Sequence, residues 1–142
     1  MILFFGPAGA GKSVQGQFLA ARQGWRWLSA GQLLRDTRDD EVLQTQKTGK
    51  LVDTEKMNQI IGDALNRATN IDQIILDGFP RQLDQAKWLV DSRPMHGRSI
   101  GLVFVLEVPR AELMKRLELR GRIDDSPAVS YTHLTLPTIY SV

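Results

Sequence analysis

Short apolar runs recur along the chain and predict β-strands. MILFF opens the sequence, WRWLSA follows at 25–30, DQIIL leads into Asp77, and SIGLVFVLEV fills 99–108. Runs that are apolar at nearly every position are typical of strands buried on both faces of a parallel sheet. The last run is the most strand-like of the four.

Helical periodicity separates these runs. The clearest apolar stripe comprises Met57, Ile60, Ile61, Ala64, Leu65 and Ala68. Asp53 or Thr54 can cap the start of that helix. Weaker apolar patterns indicate three further helices. Val14, Phe18 and Ala21 lie on one face of the first, Leu83, Ala86 and Val90 suggest the second, and Pro109 suits the first turn of the third, which carries Leu113, Met114 and Leu117. Strands that alternate with helices predict an α/β fold with a parallel sheet and helices on both faces.

Composition narrows the functional classes. The chain has 142 residues, 42% of them hydrophobic, which suits one globular domain. Its formal net charge of +2 comes without any long Lys/Arg block, so we expect no nucleic-acid partner. The absence of cysteine excludes disulfides and thiolate metal sites. No apolar stretch is long enough to span a bilayer, so we expect no membrane partner and a cytoplasmic location.

The chemistry begins at GPAGAGKS, residues 6–13, directly after the first strand. This stretch fits the pattern G-x-x-x-x-G-K-[ST]. Glycines allow backbone N–H groups to surround phosphate oxygens, and the N-terminus of the next helix adds a positive dipole end. Lys12 adds a cation and Ser13 a hydroxyl for Mg²⁺. The alternative is a Gly-rich turn that happens to contain lysine, but an apolar strand before it and a helix after it favour a nucleotide-triphosphate cradle.

Three polar clusters follow the cradle near other strand ends. They are LSAGQLLRD with Arg35, LDGFPRQLDQA with Asp77, Arg81 and Gln85, and KRLELRGRIDD with Arg116, Arg120 and Arg122. With these clusters the sequence resembles the nucleoside monophosphate kinases, and most closely the adenylate kinases, from about Met1 to Pro127. DGFPR with a glutamine four residues later is the specific part of the resemblance.

The resemblance implies a fold and an activity. The fold is a P-loop three-layer sandwich around a central parallel sheet, with residues 1–127 as its core. A small helical insert at 29–58 binds the nucleoside monophosphate, and a short lid begins at about 120–127. The implied enzyme is a monomer that transfers the γ-phosphate of Mg·ATP to AMP, giving two ADP, and so balances adenine nucleotides.

The family's site residues carry over by position. On the ATP side the resemblance implies Gly6, Gly9, Ala10, Gly11, Lys12, Ser13, Val14, Arg116 and Arg120. On the acceptor side it implies Ala30, Gly31, Arg35, Lys50, Leu51, Val52, Gly78, Phe79, Arg81, Gln85 and Arg122. The transferring group is expected to meet Lys12, Arg81, Arg120 and Arg122. Ser13 and Asp77 are placed where Mg²⁺ is held, in part through water.

Phosphoryl transfer explains why so many arginines are needed. The reaction asks for in-line positioning of two anions and for stabilisation of charge on the moving group. Guanidinium groups bind phosphate oxygens bidentately and remain charged. No general base is required, because the acceptor is already an oxyanion. His96 and His133 are therefore interpreted as bystanders.

Each of these residues also has a plainer interpretation. Arg35 could be a solvated surface charge, and Asp77 could cap a strand end. Arg116 and Arg120 could pair with acidic neighbours at Glu112 or Glu118 on an exposed helix. What favours the functional interpretation is their order along the chain, each near a strand end, where α/β sheets bind ligands.

The acceptor base is suggested by Gln85, whose carboxamide donates and accepts as the N1/N6 edge of adenine requires. Two departures from the family weaken the match. Ala30 stands where relatives place a threonine, a loss of one hydrogen bond worth about 1 kcal/mol, and Val14 also replaces a threonine. A CMP or UMP kinase therefore stays open as an alternative, as does a nucleotide-binding fragment without turnover.

The last segment differs in amino-acid composition from the rest of the chain. SPAVSYTHLTLPTIYSV contains no Asp, Glu, Lys or Arg. RGRIDDSP before it resembles a short lid, whereas 128–142 resembles translated sequencing-adapter sequence. We expect residues 128–142 to be foreign to the native protein and the native sequence to continue past Pro127.

Overall fold

The structure, a computed structural model, describes residues 1–47 and 52–121; for 46, 47 and 93–96 it describes the backbone alone. The predicted lid beyond Gly121 and the segment 128–142 lie outside the described residues. The elements are β1 (Ile2–Phe5), α1 (Lys12–Gln23), β2 (Arg26–Ser29), α2 (Ala30–Asp36), α3 (Asp40–Lys47), α4 (Thr54–Arg67), β3 (Ile74–Asp77), α5 (Leu83–His96), β4 (Leu102–Val105) and α6 (Arg110–Arg120).

The four strands form one parallel sheet in the order β2-β3-β1-β4. Ser29 pairs with Asp77 at the carboxyl ends of β2 and β3, and Phe4 pairs with Asp77 across β1 and β3. Because all four strands run the same way, their carboxyl ends share one edge of the sheet. The predicted parallel α/β sheet is confirmed, and this edge is where the candidate site residues lie.

Alternate residues of β1 enter separate cores on the two faces of the sheet. Leu3 packs with Ile74, Leu76 and buried residues of α4 and α5. Ile2 and Phe4 pack on the other face with Ile75 and with Ala20 of α1. Helices therefore cover both faces, as the alternation of strands and helices predicted.

The helix with the clearest apolar stripe begins where the sequence indicated. Asp53 is the N-cap of α4, and its carboxylate accepts hydrogen bonds from the N–H groups of Glu55 and Lys56. The stripe is buried at Met57, Ile61, Ala64, Leu65 and Ala68. The helix predicted from this stripe is therefore confirmed, and it packs into the core.

The expected apolar face of α1 was wrong. Val14 and Phe18 are 54% and 66% exposed, whereas Gly16 and Ala20 are the buried residues of this helix. A Cβ at Gly16 would lie 2.8 Å from Cδ1 of Trp27. The small residues let the helix backbone lie against the sheet, so its contact face is marked by size and not by hydrophobicity.

The helix predicted at Leu83, Ala86 and Val90 is confirmed as α5, although part of this pattern is exposed. In α5 the exposed residues include Leu83 and Val90, while Gln85, Leu89 and Ser92 are buried. The strand expected over 99–108 is limited to β4, and its four apolar side chains are 40–48% exposed. A continuous apolar run predicts a strand, but it does not reveal whether neighbours cover both of its faces.

Among residues 1–47 and 52–121, no helix has the length and apolar character needed to cross a membrane.

The close approach of α1 to Trp27 predicts a stability effect. We expect Gly16→Ala to lower the free energy of unfolding by about 1–3 kcal/mol, because the added methyl group overpacks a fixed indole ring. Urea denaturation measures this change. Gly62→Ala in α4 is the matched control: its Cβ would lie 3.5 Å from Cζ2 of Trp88, an ordinary contact, so it should be neutral or stabilising. Equal effects of both substitutions would contradict the packing argument.

Candidate functional site

A glycine-rich loop joins β1 to α1 at the carboxyl edge of the sheet. Gly6, Gly9 and Gly11 have φ values of 139°, 82° and 95°, which other residues rarely adopt. A Cβ at Gly6 would also lie 2.6 Å from the carbonyl oxygen of Leu106. Gly11 is the N-cap of α1, so the unpaired N–H groups of the helix's first turn border the loop. This is the backbone geometry of an anion site.

Lys12 folds back across this loop. Its Nζ donates to the carbonyl oxygens of Gly6 at 2.7 Å and Pro7 at 2.8 Å. Burial lowers the pKa of Lys12 to about 8; the Asp77 carboxylate opposes this shift, and the Arg81 and Arg120 cations add to it. A partly buried ammonium held by two carbonyls can exchange those partners for phosphate oxygens, which are stronger acceptors.

The side chains of Ser13 and Asp77 are in contact beside the loop. The Ser13 hydroxyl donates to Oδ2 of Asp77 at 2.8 Å, and Asp77 is only 2% exposed at the end of β3. A hydroxyl and a carboxylate are hard oxygen donors of the kind that Mg²⁺ prefers. The pair therefore fits the predicted role of holding Mg²⁺, although here the two groups bond to each other.

Arg81 and Arg120 bring further positive charge toward Lys12. Both act on the pKa of Lys12, so the three cations and Asp77 share one electrostatic environment. Nε of Arg81 donates to the carbonyl oxygen of Gly78 at 2.9 Å. A Cβ at Gly78 would lie 3.3 Å from Nη2 of Arg81, so glycine leaves room for the guanidinium. The structure thus groups residues that are widely separated in sequence.

Arg35 lies in the last turn of α2. Its Nη2 donates to Oε1 of Gln32 at 2.9 Å, and its Nη1 lies 3.4 Å from where a Cβ of Gly31 would be. Ala30 is buried and approaches the Cβ position of Gly78 at 4.0 Å. Arg35 and Arg81 therefore both lie close to the first turn of α2, at Ala30 and Gly31. Sequence reasoning missed Gln32, although its position three residues before an arginine on a helix marks it as a neighbour.

The Gln85 side chain makes a hydrogen bond to the backbone, in addition to the base recognition predicted for it. The side chain is 3% exposed, and its Oε1 accepts from the backbone N–H of Arg81 at 2.8 Å. This contact closes the first turn of α5 and leaves the amide N–H groups as donors. The glutamine holds the backbone that carries Arg81, a role that sequence reasoning did not foresee.

Phe79 and Val52 belong to the larger core. Phe79 is fully buried, and its ring meets Trp88 edge-on with centroids 6.0 Å apart. Val52 is partly buried against the same core. Phe79, predicted for the acceptor site, is thus a core residue, and Trp88 packs against the same core.

Arg116 contacts both an acidic neighbour on its own helix and the glycine-rich loop. Its Nε bonds to Glu112 at 2.7 Å across one helical turn, and its Nη1 reaches the carbonyl oxygen of Gly9 at 3.5 Å. Ala10 is buried in the loop, whereas Val14 is exposed one turn into α1. Lys50, Leu51 and Arg122, also predicted for the site, lie outside the described residues, as does the side chain of His96.

Comparison with known proteins agrees with this geometry. A sequence model of the family named adenylate kinase matches residues 4–134. The adenylate kinase of Mycobacterium leprae is 36% identical over 141 residues, an alignment covering 95% of this chain and 78% of the relative. That of Mycolicibacterium paratuberculosis is 37% identical over 134 residues, covering 90% and 74%. That of Prochlorococcus marinus is 36% identical over 141 residues, covering 95% and 76%.

The low pKa of Lys12 predicts pH-dependent anion binding. The charged ammonium attracts phosphate oxygens, so affinity for ATP without divalent metal should be highest below the pKa and fall as pH rises through about 8. Calorimetric titration from about pH 7.5 to about pH 9.5 should show Kd rising by up to about tenfold per pH unit above pH 8. Lys12→Met should remove the dependence. A wild-type Kd that stays constant over this range would contradict it.

Proposed function

This chain belongs to the adenylate kinase family, and from that premise we propose how its residues transfer the γ-phosphoryl group of ATP to AMP, giving two ADP. The observation that carries the proposal is the shared environment of Lys12, Asp77, Arg81 and Arg120 at one edge of the sheet. Cations from three separate elements meet beside a glycine-rich loop, where two phosphate-bearing ligands would otherwise repel each other.

The donor nucleotide is assigned to the loop at 6–13. Backbone N–H groups and the start of α1 surround the phosphates, and Lys12 releases the carbonyls of Gly6 and Pro7 to bind them. Arg116, already beside Gly9, lies over the same nucleotide. Ser13 and Asp77 would hold Mg²⁺, which offsets phosphate charge.

The acceptor phosphate is assigned to the gap between Arg35 and Arg81. These residues flank Ala30 and Gly31, and Gly31 keeps the approach to the Arg35 guanidinium open. Two guanidinium groups can bind one phosphate through several charge-assisted hydrogen bonds. Gln85 then offers its amide N–H groups toward the N1 acceptor of adenine.

Transfer needs alignment and little covalent assistance from the protein. An oxygen of the AMP phosphate forms a new bond to the γ-phosphorus of ATP. The bond between that phosphorus and the β–γ bridging oxygen breaks, and its electron pair stays on the β-phosphate of the departing ADP. Lys12, Arg81 and Arg120 stabilise the charge on the moving group, with Arg122 as a further expected contact. No proton has to be removed.

AMP is favoured as acceptor over CMP and UMP, in line with the names of the relatives. Ala30 supplies no hydroxyl, so its wall of the acceptor site is apolar and buried. This weakens acceptor binding without changing which base fits. A cytoplasmic location and a monomeric state stay predictions.

A coupled assay tests the proposed reaction. With Mg·ATP as donor, we expect AMP to be the best acceptor among AMP, CMP, UMP and GMP. Lys12→Ala should lower the rate by at least about a hundredfold, while circular dichroism shows an intact fold. Full activity in that variant would refute the role of the loop. Preferred transfer to CMP or UMP would refute the choice of acceptor, and nucleotide binding without turnover would favour an inactive binding fragment.

Arg81 is expected to act mainly on the acceptor. Arg81→Ala removes charge-assisted hydrogen bonds, so KM for AMP should rise by at least about tenfold while KM for ATP changes by less than about threefold. Steady-state kinetics with each substrate varied in turn measures the difference. Arg67→Ala, an exposed arginine at the end of α4, is the matched control. Equal losses for both substrates would count against this assignment.

A further inference from the structure

A side-chain hydrogen bond joins two segments that border the acceptor site. The Thr54 hydroxyl donates to Oε1 of Gln82 at 2.6 Å, in partly buried surroundings and across 28 positions of sequence. Thr54 is the first residue of α4, and Gln82 immediately precedes α5. Thr54 lies outside the glycine-rich loop and the arginine clusters, whereas Gln82 lies within the cluster LDGFPRQLDQA, directly after Arg81.

Thr54 is the end of one wall of the acceptor site. It follows Asp53 and comes two residues after Val52, which the family resemblance assigns to the acceptor side. Asp53 already caps α4 by accepting from the N–H groups of Glu55 and Lys56. The hydroxyl of Thr54 is therefore not needed for capping, and it reaches across to α5 instead.

Gln82 belongs to the opposite wall. It follows Arg81, whose backbone N–H is bonded to Gln85, and its own carbonyl oxygen accepts from the N–H of Ala86 at 3.0 Å. The backbone from Arg81 to Ala86 is thereby set by hydrogen bonds at the start of α5. A contact made by the Gln82 side chain is transmitted to this turn, because the backbone on both sides of it is already held.

We propose that the Thr54–Gln82 hydrogen bond sets the spacing between the two walls of the acceptor site, so that both residues are positioning residues for the acceptor nucleotide. The inference rests on the proposed function of Arg81 and Gln85. Both side chains are neutral, so the Thr54–Gln82 hydrogen bond neither competes for phosphate nor depends on pH. The ion pair between Lys56 and Asp39, in contrast, joins α4 to the residue that precedes α3.

Loss of this bond need not unfold the protein. Met57 of α4 and Leu89 of α5 lie in one buried core, and the edge of Trp88 packs near Gly62. Apolar packing therefore holds the two helices together over their length. The hydrogen bond acts at their N-terminal ends, where the acceptor binds, so its removal tests positioning more than folding.

The experiment compares Thr54→Val and Gln82→Leu with Thr54→Ser, which keeps the hydroxyl. Isothermal titration gives Kd for AMP and for ATP, and kinetics gives KM for each. Thr54→Val and Gln82→Leu should each weaken AMP binding by about fivefold to tenfold while ATP binding stays within about twofold. Thr54→Ser should keep the AMP affinity of the wild-type chain. The double variant Thr54→Val/Gln82→Leu should bind AMP no more weakly than either single variant. Gln59→Leu, an exposed glutamine of α4, is the matched control.

The outcomes separate this inference from the proposed function. If the wild-type chain binds both nucleotides but Thr54→Val leaves AMP affinity unchanged, or weakens AMP and ATP equally, the positioning role is refuted and the proposed function stands. Effects of the two single variants that multiply in the double variant would refute the pairing. If the wild-type chain binds neither AMP nor ATP, the proposed function fails and the inference that rests on it fails with it.

Discussion

A partly buried lysine, hydrogen-bonded to a backbone loop and close to a carboxylate, is the feature on which the rest of this site depends. An ammonium taken out of water is costly unless strong acceptors surround it. Lys12 meets this requirement through the carbonyls of Gly6 and Pro7 and through the nearby charge of Asp77. Even so, burial lowers its pKa, and an anionic ligand beside the loop would favour the charged ammonium.

The same requirement explains the backbone around that lysine. The loop must turn with positive φ at several positions, and its first glycine passes so close to Leu106 that a side chain would collide with the carbonyl oxygen. Behind the loop, α1 lies close to the sheet because Gly16 leaves room for Trp27. Small residues therefore bring the start of α1, which carries the lysine, down to the edge where the strands end.

Three glutamine side chains make hydrogen bonds around the residues that we propose for the acceptor. Gln32 contacts Arg35 and Gln85 contacts the backbone of Arg81, while Gln82 joins Thr54. A neutral amide can orient a guanidinium, or the backbone that carries it, without bringing a negative charge close to the proposed phosphate site. Arg116, in contrast, bonds to the carboxylate of Glu112.

The sequence by itself determined the order of strands and helices, the glycine-rich loop at 6–13, a helix cap at Asp53 or Thr54 and the family, because each depends on local spacing or on a contiguous motif. It misplaced the buried face of α1, since Gly16 and Ala20 are buried because they are small, and it did not foresee that Gln85 is buried through its hydrogen bond. Only the tertiary structure brought Ser13 to Asp77 and Thr54 to Gln82. Those contacts join residues far apart in the chain, and their partners are decided by how strands and helices pack, which no local pattern records.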